Sequence, residues 1–188
     1  MSHGLEVEAR GPGLEAPSTG ILAAASQILA WVNNKVFGLS MLALLAAAFI
    51  LTGSVLLRYF LKVPTDWQDE ASVFLMVGAV FVSGAYVQSF RGHVGIEALA
   101  GFLPPRVNWV RRLACDVASF LFCGFFAWKS WTLLREAWVE GQTTSSAWAP
   151  PLSLPYGLMA VGMTLLSLQL LLQIANRLAE SDTPPARK

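Results

Sequence analysis

The chain has 188 residues, of which 55% are hydrophobic and 13% charged, about half the roughly 25% charged share of a soluble domain. Thirteen Lys and Arg against 12 Asp and Glu leave a formal net charge of +1, so the chain lacks the basic field that draws in nucleic acid, and no nucleic-acid partner is expected. The charges avoid positions 36–57, 71–90 and 141–176 altogether, the pattern of a polypeptide that crosses lipid more than once.

In chain order, positions 1–20 have neither a basic n-region nor an apolar h-region, so they read as a disordered cytoplasmic tail rather than a signal peptide. In positions 21–37, Ile21, Leu22, Ile28, Leu29, Val32 and Val36 fall on one helical face and Ser26, Asn33 and Asn34 on another. This suits an amphipathic helix lying in the interface with Trp31 at headgroup depth. The same periodicity also fits an inward extension of the first span.

The spans themselves are predicted at about 38–57, 71–90, 113–134 and 156–176, since some 20 apolar residues at ~1.5 Å each cover a ~30 Å hydrocarbon core. The third contains Asp116 and Lys129. Both lie about one turn from an end, where the acid suits the helix N-terminus and the lysine can extend toward the interface. In the last charge-free stretch the first half is rich in Ser, Thr and Pro, so only its second half reads as a span. Positions 177–188 read as a second disordered cytoplasmic tail. The fold expected is an all-α integral membrane protein, four transmembrane helices in a bundle, preceded by the interfacial amphipathic helix.

Four spans place both termini and the middle loop on one side. Nine of the 13 basic residues collect there (Arg10, Lys35, Arg91, Arg106, Arg111, Arg112, Arg177, Arg187, Lys188), against Arg58, Lys62, Lys129 and Arg135 on the other. The excess marks the cytoplasmic side, so both ends are expected in the cytoplasm. The seven tryptophans avoid the predicted span centres and suit an aromatic belt.

Site chemistry is sparse. Cys115 and Cys123 would stand about 12 Å apart on one helix, too far for a disulfide. No Cys/His cluster has metal spacing, and neither a phosphate loop nor a nucleophile elbow occurs, so no catalytic, cofactor-binding or metal residues are expected. The predicted span centres carry no ionisable group of the kind that marks an ion or substrate path. Small residues four apart, Ala43 and Ala47, Ala48 and Thr52, Ala79 and Ser83, Ala160 and Thr164, instead offer faces for close helix packing.

The informative polar residues bracket the second span. Asp69 and Glu70 at its start suit the helix dipole, and Glu70 is placed to pair with Arg58 across the short loop, joining the first two spans. Beyond its end, His93 and Glu97 are four apart, close enough for a local pair if the chain is helical there.

At these residues the sequence resembles a known family. Arg58-Tyr59, Pro64, Trp67-Gln68-Asp69-Glu70 opening an apolar span, then Gly92-His93-Val94-Gly95-Ile96-Glu97 and Leu103-Pro104 resemble the small permease subunit of TRAP (tripartite ATP-independent periplasmic) transporters. The motif match covers 58–104, with Asp69 where the family more often has Glu and Glu97 where it more often has Asp. The resemblance implies a non-catalytic scaffold in the bacterial inner membrane, bound to a large many-spanning permease subunit that carries the substrate and sodium sites. A periplasmic substrate-binding protein would deliver an organic acid, and no cofactor would bind this chain. Its structural and interaction candidates are Arg58, Tyr59, Trp67, Asp69, Glu70, His93, Glu97 and Pro104. The alternatives are a membrane-bound enzyme acting on a lipid phosphate through Arg91, His93, Glu97, Arg111, Arg112 and Asp116, or a membrane scaffold unrelated to transport.

Overall fold

The computed structural model describes residues 20–89 and 104–181. It contains four helices, α1 (Gly20–Leu61), α2 (Asp66–Ser89), α3 (Pro105–Val139) and α4 (Ser153–Ser181), each long and apolar enough to cross a membrane. Positions 21–37 are not a separate element. They are the N-terminal part of a 42-residue α1, which is the second of the two readings that their periodicity allowed.

Helix ends follow local chemistry. Lys62 adopts φ 53° directly after α1, the left-handed conformation that ends helices, and Pro64 then prevents renewed winding until Thr65. The carbonyl of Thr65 accepts the first bonds of α2 from Gln68 and Asp69, and Asp66 and Asp69 occupy its first turn, where the dipole favours them. Pro104 caps α3 with Pro105 at its first position, a place that tolerates a missing N–H. At the far end Gly141, φ 62°, lets Gln142 N–H return to the carbonyl of Ala137. The connection to α4 folds back on itself through a Thr143–Pro151 bridge and a bond from Leu152 N–H to the Gln142 carbonyl.

The helices form a row in the order α1, α2, α4, α3, with α1 also touching α4 slightly. Gly78 lies opposite Leu158 and Gly162 opposite Phe81, so α2 and α4 run parallel and join two helical hairpins. The approach is tightest at Gly162, where an added Cβ would collide with the carbonyl of Phe81. One end of the row carries both hairpin turns, 62–65 and 140–152. The other carries the first residues of α1 and the last of α4, and is called the terminal end.

Among the described residues most of what is buried is small or polar, with Leu29, Met163 and Leu170 the large apolar side chains among it. On α1 the buried positions Ser26, Asn33, Ser40, Ala47 and Ser54 are seven apart, while Leu42, Phe49, Leu56 and Phe60 face outward. A water-soluble heptad would show the reverse. Lipid tails are as apolar as leucine, so burying leucine between helices gains little, whereas small side chains let backbones approach and polar ones find partners. Of the predicted small pairs, Ala47, Ala79 and Ala160 are buried, while Ala48 and Thr52 face outward.

Candidate functional site

Two polar clusters tie the helices together, one near each end. At the hairpin end Arg58 Nη2 donates to Asp69 Oδ2 at 2.6 Å and to Thr65 Oγ1 at 2.9 Å. Ser54 Oγ lies 2.8 Å from Thr65 Oγ1 and 3.0 Å from Asp69 Oδ1, with one proton to donate between them. The partner of Arg58 is therefore Asp69, not the expected Glu70. The reason is angular: consecutive helical residues point about 100° apart, and Asp69 is the one that faces Ser54 and Arg58 on α1. Glu70 is half-buried, and its Oε2 is shielded from solvent without a hydrogen-bond partner.

The other motif residues at this end are aromatic. Trp67 meets Trp148 of the α3–α4 connection edge to face, centroids 6.4 Å apart, and Tyr59 is exposed beside Phe60. Pro104 is the N-cap of α3, far along the chain from this cluster. His93 and Glu97 lie outside the described residues.

The terminal-end cluster was not foreseen. Asn33 of α1 donates through Nδ2 to Gln169 Oε1 of α4 at 3.0 Å, both buried. Gln88 of α2 donates to Gln173 Oε1 at 3.1 Å, and Gln173 Nε2 donates back to the Gln88 carbonyl at 3.0 Å. A small cleft of about 30 Å³ opens beside Gln169, lined by Ser26, Asn34, Tyr86 and Ser89, large enough for a water-sized occupant.

Asp116 of α3 meets Arg177 of α4 at 2.9 Å, their side chains only 16% and 8% exposed. The contact is a charge pair rather than an aligned hydrogen bond. Asp116 is thus no N-terminal dipole residue: α3 starts at Pro105, about 16 Å earlier at ~1.5 Å per residue. Nor does Arg177 open a tail, since α4 continues to Ser181. The legible signal was a run of amides, Gln169, Gln173 and Asn176, at helical spacing on an otherwise apolar span.

Two residues expected near the end of the third span lie well inside α3. Trp131 donates its indole N–H to Thr164 Oγ1 at 3.0 Å, near the middle of α4, and Lys129 sits beside it rather than near a helix end.

Among the described residues no group of His, Cys, Asp and Glu could hold a metal. The geometry of the chain is that of a clamped helix row. The family model for the DctQ component of tripartite ATP-independent periplasmic transporters matches residues 47–180. The chain belongs to that family. A protein of Haemophilus influenzae, provisionally named a TRAP transporter small permease protein, is 24% identical over 131 residues, covering 69% of this chain and 77% of that one. No solved structure matches. The chain is thus a multi-pass membrane component of a TRAP transporter, and the family match spans α2 to α4 and the last third of α1.

Proposed function

We propose that this chain is the non-catalytic small subunit of a sodium-coupled, binding-protein-dependent transporter of organic acids, a fixed scaffold beside a large subunit that carries substrate and sodium. The observation that carries this reading is the use of its interior polar groups. Asn33, Gln88, Gln169, Gln173, Asp116 and Arg177 are spent holding helices to one another, which suits a rigid part and leaves them committed when a neighbouring domain moves. The terminal end faces the cytoplasm of a bacterial inner membrane on this reading, in line with the distribution of Lys and Arg.

The reading as a lipid-phosphate enzyme loses one of its acids, because Asp116 is paired with Arg177. The test is reconstitution. Vesicles holding this chain with the large subunit and the soluble binding protein should accumulate an organic acid down a sodium gradient, and omission of this chain should abolish uptake. Sodium-driven uptake by vesicles holding this chain alone would overturn the scaffold role.

A further inference from the structure

Lys129 sits where a charge is costly. Asp116 and Arg135 stand about 28 Å apart along α3 at ~1.5 Å per residue, close to the thickness of a hydrocarbon core. Lys129 falls between them, about 9 Å short of Arg135. The bond from Trp131 to Thr164 fixes this level of α3 against the middle of α4. Helical side chains lean toward the helix N-terminus, so the lysine stem leads away from its nearer interface. A charged residue held at such depth is functional by default.

The residue also faces away from the rest of the chain. Its side chain is exposed, and its ammonium rests 5.2 Å from the centroid of the Trp128 ring. No carboxylate among the described residues lies within ion-pair distance of it. On the same face Phe122 and Phe125 are exposed. Helix α3 ends the row and packs chiefly on α4, with Ala127, Ser130 and Ala137 on its buried side. The opposite face is therefore a strip of large apolar side chains with one cation in it. Lipid would solvate the aromatic rings and leave the ammonium unmet. A helix with an acid at the same depth would match both.

We propose that the Lys129 face of α3 is a docking surface for a membrane-spanning helix of the large subunit that presents an Asp or Glu carboxylate at that level. The inference rests on the scaffold reading above and adds which face makes the contact and by what chemistry. Charge complementarity selects the occupant, since an ammonium in a low-dielectric setting is met best by a carboxylate that arrives with its own apolar surround.

The test uses the full chain co-expressed with the large permease subunit of the same transporter. Lys129→Met should lower recovery of the large subunit at least tenfold while the variant chain, purified alone, unfolds no more easily than the parent. Lys129→Arg should keep recovery near the parent level. A photoreactive phenylalanine analogue at Phe125 or Thr132 should form an adduct with the large subunit, whereas one at Phe49 on α1 serves as the comparison. Parental recovery with Lys129→Met, adducts to lipid alone, or adducts to a second copy of this chain would each overturn the inference and leave the scaffold reading intact. If the parent chain itself recovers no large subunit, both fall.

Discussion

At the hairpin end, Ser54, Arg58, Thr65 and Asp69 join α1 to α2 across at most 15 positions of sequence, and the central pair is 57% and 44% exposed. At the terminal end, Asn33 reaches Gln169 across 136 positions, and Asp116 with Arg177 is 16% and 8% exposed. A four-residue turn already holds α1 beside α2, so the hairpin cluster refines an arrangement that the chain imposes and does so with its ion pair half-exposed. No such turn links α1 to α4, and the turn between α3 and α4 is at the opposite end from Asp116. There, buried side-chain contacts must set the register themselves, in a medium where an unmet polar group is expensive. The same residue chemistry is therefore worth most where connectivity contributes least.

This contrast orders the effects of mutation. The largest is expected at the buried ion pair: Arg177→Ala removes the guanidinium that meets the shielded Asp116 carboxylate, and breaking a buried pair from one side costs about 3–5 kcal/mol, read as a lower unfolding midpoint in mixed micelles. The exchanged pair Asp116→Arg with Arg177→Asp should recover part of it. A loss no greater than that of a surface change would break the comparison.

Next comes the α2–α4 crossing, where Gly162→Val should cost roughly 1–3 kcal/mol, because its side chain meets the Phe81 backbone. The flexible Leu158 side chain opposite Gly78 makes Gly78→Ala the milder change. Gln169→Leu or Gln173→Leu should cost about 0.6 kcal/mol each, the average interhelical hydrogen bond in a membrane. A double-mutant cycle of Asn33→Ala with Gln169→Ala should show coupling.

The smallest effect belongs to the hairpin end. Arg58→Ala and Asp69→Ala should shift the same midpoint less than any of these, and non-additively with each other. Glu70→Gln should add independently to Arg58→Ala. Coupling of Glu70 rather than Asp69 to Arg58 would contradict the geometry described above.

Much of the architecture was legible in advance. Each hydrophobic stretch meets lipid on its own terms, so the existence of four spans follows from composition and length. The motif around Trp67 and Glu70 marked the right end of α2 and the right family. Its pairing was off by one residue, because hydropathy does not resolve which of two adjacent acids faces α1. Asp116 and Lys129 read as near helix ends because hydropathy marks only the apolar stretch 113–134, and the helix runs beyond it on both sides. Proline at 105 and Gly141 are the better boundary marks, and they extend the helix at both ends.

By itself the sequence settled how many times the chain can cross a membrane, since insertion depends on the apolar surface of each segment in turn. It also supplied a bias in basic residues from which sidedness can be argued. Only the tertiary structure decided the row α1, α2, α4, α3, the partners of Asn33, Gln88 and Asp116, and the outward face of Lys129. Those depend on which faces meet once the spans are in place. Between helices that all look alike to lipid, that choice turns on the fit of small residues and the pairing of a few distant polar groups.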